Sequence, residues 1–594
     1  MKKNTLRAIC LLVGICLIII GALISYKVDT NGNVTVQRIS ITDAKGYEVS
    51  AKLYIPENAR TAPAPAMIIS PGGDCPSDIA SPWATEFSRR GYVVALADYA
   101  GVGDTDVNIE ENYQASPTGT MELGTIYDYL ANSKFVDADN IGIAGHSMGS
   151  LYSYRTALNH KVKICITDVQ FADAPPTYNF NWVSIIASHD EGISSRIGDV
   201  TNILTDPWFC MMYQTDKVEV GKEYGNWEDG TQKVMYMYNM THQDDQISAK
   251  LIKKMVECVM KTMPAPHEIA PGSMIYGWKP VGLAIAIIGT LIFLFTLGAV
   301  LIESGPFDSL ILESAEQDVD AGFKKGSPQW IVSTLILMFL PVILFFPGTG
   351  NGAKVLPPSI YRIGFMANGF LAWGLLGTIA LIIFFVIFHN VYGKKNGGTV
   401  RSYGFATSNT GEGFSFMYIV KSFVFGAVIF MAGYMILLLL FKYAVTDLHV
   451  WVMSMRPLSK YRIGAFPIYY ISFAPFFISL LLAASSLGKN KELEAKRPGL
   501  AIVISIVTGM AGLILLFIVH EITMRTTHPF IETNMAAFFM DILISLVPEF
   551  GIAMGFSMYM KQKTNSYIPG LFFSIALVTM GMICQNTLGP SFLG

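Results

Sequence analysis

The sequence predicts an α/β domain inserted between one N-terminal transmembrane helix and an α-helical membrane bundle of eight helices. Three observations predict this fold class. Only 15% of the 594 residues are charged and 52% are apolar, whereas about a quarter of a soluble protein is charged. The long apolar runs lie at the N-terminus and after residue 276. Between them, short β-branched runs alternate with helical stretches, as in a parallel sheet covered by helices.

The charges divide the chain at the same places. Residues 27–276 contain 19 Lys and Arg against 31 Asp and Glu, a net charge of −12. The rest of the chain contains 23 basic and 14 acidic residues, a net charge of +9. The total of −3 is therefore the sum of an acidic soluble part and a basic, apolar part. A nucleic-acid-binding protein is excluded because the soluble part has no basic surface.

The first apolar run predicts a membrane anchor. Residues 8–26 contain no charge over 19 positions, which is enough to cross a hydrocarbon core of about 30 Å. A signal peptide is the alternative, but no small-x-small cleavage site follows the run. We therefore expect a cytoplasmic tail at residues 1–7 and an uncleaved transmembrane helix at residues 8–26.

Eight further apolar runs predict a membrane domain at residues 277–594. They cover residues 280–302, 329–347, 364–389, 415–441, 464–487, 499–520, 535–560 and 567–589. With the N-terminus inside, the short inner segments contain 14 Lys and Arg and the outer loops contain 7. This excess predicts a multi-pass protein of the cell membrane with residues 27–276 on the outer face.

Short apolar runs predict the strands of the soluble insert. Residues 36–56 have the alternation of an antiparallel pair around a Lys-Gly turn. Six nearly continuous apolar runs suit parallel strands buried on both faces. They are residues 65–70, 92–98, 140–145, 162–168, 182–188 and 233–239. Helical stretches between several of them predict a doubly wound domain.

The pentapeptide Gly145-His146-Ser147-Met148-Gly149 is the motif with a chemical implication. A GxSxG is weak evidence alone, but here a strand runs into it and a helix leaves it. So tight a turn forces the serine into a strained backbone conformation, and a side chain on either flanking glycine would clash. The strain exposes the serine hydroxyl at the carboxyl end of the sheet, beside a helix start that stabilises negative charge.

On this motif and its context, residues 36–263 resemble the α/β-hydrolase superfamily, in its dienelactone-hydrolase-like and serine esterase–peptidase branches. The family order of nucleophile, acid and histidine is met by Ser147, Asp190 and His242, each directly after a predicted strand. The resemblance implies an acyl-enzyme on Ser147, proton transfer by His242 and orientation of the imidazole by Asp190. The spacing before His242 leaves room for a cap-like insertion at residues 192–231.

The resemblance also implies an oxyanion hole. One donor is expected to be the backbone N–H of Met148, and the other the N–H of Gly72 or Gly73, in a loop that follows the strand at 65–70. Ser70-Pro71 stands before these glycines, where the family motif has a histidine.

Other residues could replace the expected acid and base. Asp168 ends the preceding strand, at a position where some superfamily members have the acid, and Glu191 adjoins Asp190. His146 and His160 are alternative histidines within the insert, as is His189.

Several remaining residues are expected to have no catalytic role. Asp244 and Asp245 are interpreted as charges at a helix N-terminus, and the cysteines of the insert as free thiols. No Cys/His spacing indicates zinc and no Gly-rich phosphate loop is present. The sequence therefore predicts neither a metal nor a cofactor.

Ionisable residues in the membrane runs mark a second candidate site. Asp541 and Glu549 lie in one predicted helix, and His520 and Glu521 lie at the outer end of the preceding one. Charges are costly at such depth, so proton or ion coupling is one interpretation. The alternative is that the four groups satisfy one another at a helix interface or lie near the head groups.

The sequence thus predicts a membrane-anchored extracytoplasmic serine hydrolase that cleaves a carboxylic ester, thioester or amide. We expect a small-molecule, lipid-linked or peptide acyl substrate, with the lipid bilayer as partner. Two alternatives stay open. The same serine could serve an acyltransferase, or the insert could be a non-catalytic binding domain that regulates a transporter-like bundle.

Overall fold

A computed structural model describes residues 3–73, 75–107, 119–169, 179–313, 322–409, 413–450, 453–486, 491–526, 534–585 and 588. Within them, helix α1 (Lys3–Asp29) leads into an α/β domain, and a group of long apolar helices follows this domain. The fold class predicted from the sequence is therefore confirmed.

A nine-stranded sheet forms the centre of the α/β domain, in the order β1-β2-β4-β3-β5-β6-β7-β9-β8. The six strands from β3 to β7 and β9 run parallel, whereas β1, β2 and β8 are antiparallel additions at the two edges. The strands are β1 (Val34–Thr42), β2 (Glu48–Pro56), β3 (Ala64–Ser70), β4 (Val93–Ala97), β5 (Val136–His146), β6 (Ile164–Asp168), β7 (Asn181–His189), β8 (Glu223–Tyr224) and β9 (Lys233–Thr241).

Helices cover both faces of this sheet, and so the central strands are apolar on both sides. In β3, Ile68 packs into one core while Met67 and Ile69 pack into the other. All three side chains are fully buried, as the alternation of side chains along a strand requires. The helices are α2 (Asn58–Thr61), α3 (Ser81–Ser88), α4 (Leu123–Ala131), α5 (Met148–Asn159), α6 (Glu191–Ile197), α7 (Pro207–Tyr213) and α8 (Ala249–Thr262).

The helices after the α/β domain form what we call the bundle. Among the described residues, eight helices including α1 are long and apolar enough to cross a membrane, and α18 is a shorter apolar helix. The chain is therefore a membrane protein. The bundle consists of α9 (Trp278–Ser304), α10 (Pro328–Ile343), α11 (Phe345–Val355), α12 (Phe365–Phe388), α13 (Phe416–Leu439), α14 (Lys460–Ser486), α15 (Lys491–Lys496), α16 (Pro498–Thr526), α17 (Asn534–Thr564) and α18 (Ile568–Gln585), with a short antiparallel pair, β10 (Leu448–Val450) and β11 (Met453–Met455), between α13 and α14.

One predicted membrane run differs from the structure. Residues 329–347 are divided between α10 and α11, which meet at Leu344. Pro341 precedes this break and has no N–H for the helical hydrogen bond, which favours a kink there.

A buried ion network, which we call the junction, joins the α/β domain to the bundle. Asp29 at the end of α1 accepts hydrogen bonds from Lys52 of β2 at 2.9 Å and from Lys279 of α9 at 2.8 Å. Lys52 also lies 3.4 Å from Asp78, whose carboxylate is 3.9 Å from Arg456 in the loop before α14. Because α1 also packs along α9, both ends of the α/β domain are held at one place on the bundle.

Candidate active site

Ser147 lies on a strained turn between β5 and α5. Its backbone φ is 51° and its ψ is −119°, a conformation that is rare for a residue with a side chain. A Cβ added at Gly145 would lie 2.2 Å from the carbonyl oxygen of Gly149, and one added at Gly149 would lie 2.3 Å from that of Pro71. Only glycine fits at either position, and the turn presents a half-buried serine at the carboxyl end of the sheet.

Asp190 and His242 form a buried polar contact, and the ring of His242 lies beside that of His146, the residue before Ser147. His242 Nδ1 lies 2.6 Å from Asp190 Oδ2, and the two side chains are 4% and 0% exposed. Asp190 directly follows β7 and caps α6, where its other oxygen accepts a 2.6 Å hydrogen bond from Ile193 N–H. His242 directly follows β9 and donates its backbone N–H to Glu191 at 3.1 Å. The acid is thus held rigidly against one imidazole nitrogen.

The electrostatics of His242 follow from this pairing. Burial alone would lower the pKa of His242, but the charge of Asp190 and its hydrogen bond outweigh burial and raise this pKa to about 10. Asp245 and Glu191 add smaller contributions in the same direction. The site therefore stabilises the imidazolium that a general base forms when it accepts a proton.

The loop after β3 passes beside Ser147. A Cβ added at Gly72 would lie 3.5 Å from Ser147 Cβ, and one added at Gly73 would lie 2.7 Å from the sulfur of Met148. The hydroxyl of Tyr99 donates a 3.2 Å hydrogen bond to the carbonyl oxygen of Gly72. The residues expected for the oxyanion hole are thus brought together with Ser147, while Asp74 of the same loop lies outside the described residues.

The competing residues occupy other positions. Glu191 contacts the backbone of His242, whereas Asp190 contacts its ring. Asp168 uses its carbonyl oxygen to accept the backbone N–H of Ser147 at 2.8 Å, so this residue supports the turn. His160 lies at the end of α5, with Nδ1 3.0 Å from the carbonyl oxygen of Thr156.

Three buried side chains near His242 form a group that sequence reasoning missed, which we call the acidic cluster: His146, Asp168 and Asp245. They are at most 2% exposed, and one potential ligand atom from each lies within 4.8 Å of the others. His146 Nε2 is 3.0 Å from Asp245 and 3.2 Å from the carbonyl oxygen of His242. Asp245 begins a short 3₁₀ helix, Asp245–Ile247, which agrees with the expected helix N-terminal position, and its side chain also lies against His146.

The charge state of the acidic cluster is set mainly by burial. Burial, and then the proximity of Asp245, raise the pKa of Asp168 well above its usual value. Burial likewise raises the pKa of Asp245 and lowers that of His146. Two carboxyl groups and one imidazole can bind a divalent cation, or they can hold protons and remain neutral, which these pKa directions favour. The sequence signal available for this cluster was an acidic residue at the end of β6 and another shortly after β9.

Three of the four ionisable residues of the membrane runs have side chains that the structure describes. Glu521 pairs at 3.1 Å with Arg525, a residue outside these four. His520 and Glu549 are buried, and their side chains have no hydrogen-bond partner among the described residues. The side chain of Asp541 lies outside the described residues.

Comparison with known proteins gives limited matches. No family model matches the sequence. Hydrolyase poxO from Penicillium oxalicum is 25% identical over 136 residues, which are 22% of this chain and 32% of that protein. The chain thus spans about a third of the length of this curated relative.

Solved structures similar to this chain are esterases and dienelactone-hydrolase-like enzymes. The hyperthermophilic esterase from Pyrobaculum calidifontis has 14% identity, covers 44% of this chain and 93% of its own, and has a TM-score of 0.29. A dienelactone hydrolase-like promiscuous phosphotriesterase from metagenomic libraries has 11% identity, coverage of 44% and 98%, and a TM-score of 0.28. A bacterial heroin esterase has 14% identity, coverage of 41% and 87%, and a TM-score of 0.29.

Proposed function

We propose that the protein is a membrane-anchored serine hydrolase with Ser147 as nucleophile, His242 as base and Asp190 as the orienting acid. The observation that supports this proposal most is the buried 2.6 Å contact between Asp190 and His242, formed beside a serine with a φ of 51°. An ion pair with a purely structural role would not need a strained serine beside it, and a strained turn would not need the ion pair. Their occurrence together supports a catalytic role.

The chemistry follows the acyl-enzyme scheme. The Ser147 hydroxyl attacks the carbonyl carbon of an ester, thioester or amide, and the second ring nitrogen of His242 accepts its proton. The carbonyl oxygen becomes an oxyanion, stabilised by N–H groups of Met148 and of Gly72 or Gly73. His242 then protonates the leaving group, and water repeats the sequence on the acyl-enzyme. No step requires a metal or cofactor.

We further propose that the α/β domain lies on the outer face of the cell membrane, with the N-terminus in the cytoplasm. This is supported by the 14 basic residues of the inner segments against 7 in the outer loops. The proposed boundaries are a tail at 1–7, an anchor at 8–26, the hydrolase domain at 27–276 and the membrane domain at 277–594.

The test is labelling of intact cells with a membrane-impermeant fluorophosphonate. We expect labelling of the wild type and of Ser133→Ala, a serine whose hydroxyl only bonds Tyr129 in α4, but not of Ser147→Ala. Labelling that requires permeabilised cells would contradict the orientation. Absence of labelling in both preparations would contradict the hydrolase and favour the binding-domain alternative.

A further inference from the structure

Among the described residues, several loops that surround the proposed active site face the bundle. In a parallel α/β sheet, ligands bind at the carboxyl ends of the strands. We call the loops after the carboxyl ends of β3, β4, β7 and β9 the catalytic edge. Ser147, Asp190 and His242 lie among these loops, and each of the four loops contacts a residue or helix of the bundle.

The first contact is made by Arg456, which is 1% exposed. Its guanidinium lies 3.9 Å from Asp78 in the loop after β3, and 3.8 Å from Asp98 at the end of β4. It also pairs with Asp104, farther along the loop after β4. One bundle side chain therefore binds two loops of the catalytic edge together.

The loop after β4 makes further contacts with the start of α14. Arg462 donates to the carbonyl oxygen of Gly103 at 2.8 Å and lies 3.2 Å from Asp106. Asp106 also accepts hydrogen bonds from the hydroxyl of Ser459 at 2.6 Å and the backbone N–H of Tyr461 at 2.9 Å. This loop is thus fixed to the bundle by both side-chain and backbone groups.

The loops that position the acid and the base contact α16 and α17. Helix α6, which Asp190 caps, packs against α17. Asp244, two residues after His242, pairs with Arg525 of α16 at 2.7 Å. Helix α16 also contacts β9, the strand that His242 follows. The bundle therefore covers the catalytic edge on the side of the acid and base as well.

An apolar stripe of α16 leads from the lipid-facing surface to the catalytic edge. Leu515, Ile518 and Ile522 are 48%, 47% and 56% exposed, and their spacing puts them on one face of the helix. Arg525 continues the same face by one further turn and pairs with Asp244 beside the catalytic histidine. A hydrocarbon chain in the bilayer could follow this stripe to the triad.

We infer that the bundle is the cap of the active site and that the substrate is an amphiphile, an acyl compound whose hydrocarbon chain lies along α16 and α17. This inference rests on the proposed hydrolase function. A compact polar substrate would have to pass a rim of ion pairs, whereas an apolar chain is accommodated by the exposed face of α16. The reactive carbonyl then reaches Ser147 at the membrane surface, where the water needed for deacylation is available.

The experiment uses the full chain in nanodiscs and two fluorophosphonate probes. One has a long alkyl chain with a diazirine near its end, and the other has a short chain with the same diazirine. After each probe has reacted, ultraviolet light links its tail to the nearest protein segment, which mass spectrometry identifies. We expect the long tail to be linked to α16 or α17, and the short tail to be linked within the α/β domain.

A matched pair of variants tests the route. Ile522 near the end of α16 and Ile463 near the start of α14 are both 56% exposed. Each buried methylene contributes about fourfold to binding, so loss of about two methylene contacts predicts roughly tenfold slower labelling by the long-chain probe. We expect this decrease in Ile522→Gln and not in Ile463→Gln, while labelling by the short-chain probe, which reports an intact fold, is unchanged in both.

The possible failures are distinguishable. A Ser147 adduct whose long tail is linked only to residues 34–263 would overturn the amphiphile inference and leave the hydrolase standing. Equal effects of the two isoleucine variants, or reaction of the short probe alone, would likewise overturn the amphiphile inference and leave the hydrolase standing. Absence of any Ser147 adduct would overturn the proposed function and, with it, this inference.

Discussion

Two groups of buried charge in this molecule behave in opposite ways. At the junction, each buried carboxylate has cationic side chains beside it. Burial alone would raise the pKa of Asp78, but the charges of Arg38, Lys52 and Arg456 outweigh burial and hold this pKa below its usual range. In the acidic cluster, carboxyls outnumber cations, and burial raises the pKa of Asp168 and Asp245.

This difference separates a structural network from a reactive one. A buried carboxylate with several cations remains charged, and removing it leaves those cations unpaired. A buried carboxyl without a cation is neutral, so replacing it with an amide changes little. Buried carboxyl groups with a raised pKa are common at active sites. Here the acidic cluster lies directly behind the proposed triad.

The largest expected effect is on catalysis. Asp190→Asn should lower kcat/KM by about 10⁴-fold, because the amide favours the wrong imidazole tautomer and does not stabilise the imidazolium. Hydrolysis of a chromogenic ester by the full chain measures this loss. The folded chain should persist, as judged by its resistance to proteolysis. A loss smaller than tenfold would indicate that another carboxylate is the orienting acid.

Breaking the junction should chiefly affect stability. Asp78→Asn removes a charge that Lys52, Arg38 and Arg456 share, which should lower the free energy of unfolding by about 3 kcal/mol. Pulse proteolysis of the chain in nanodiscs measures this change. Asp139→Asn is the control, since Asp139 pairs with Lys161 on the surface, and it should have no measurable effect. Equal effects of the two variants would contradict the distinction.

The pH dependence of the reaction tests how nearby negative charges affect the pKa of His242. The base must be neutral to accept the serine proton, so a raised His242 pKa moves the acid limb of kcat/KM to higher pH. Glu191→Gln removes one negative charge while retaining an acceptor for the His242 N–H. The midpoint of the acid limb should move to lower pH by about half to one unit. A shift to higher pH would be inconsistent with this account.

The smallest effect is expected in the acidic cluster. Asp168→Asn should alter the free energy of unfolding by less than about 1 kcal/mol, because the buried carboxyl is already neutral. The same change at Asp78 is the comparison. A large destabilisation by Asp168→Asn, together with loss of a metal detected in the purified wild type by elemental analysis, would instead identify a cation site.

Much of the fold and of the candidate site could be predicted from local patterns. The apolar runs identified the membrane helices because each span must be apolar over its whole length. The serine turn was recognisable because its GxSxG motif lies directly between a predicted strand and a predicted helix. Asp190 and His242 were found because each directly follows a strand, and the ends of parallel strands meet at one edge.

Other features depend on contacts between distant segments. The contact of Asp245 with His146 was not predicted, because it joins segments that are far apart in the sequence. The contact between Arg525 and Asp244 joins residues 281 positions apart, and no local pattern in either segment indicates it. The break at Leu344 was also missed, although Pro341 was a visible signal.

By itself, the sequence determined the apolar membrane runs, the positions of the strands along the chain and the residues proposed for the triad, because hydrophobic periodicity and strained turns act over short stretches of chain. Only the tertiary structure decided that the catalytic edge faces the bundle, and that buried charges are matched at the junction but unmatched behind the triad. Charge pairing and burial depend on which surfaces meet, and those surfaces come from segments that are separate in the sequence.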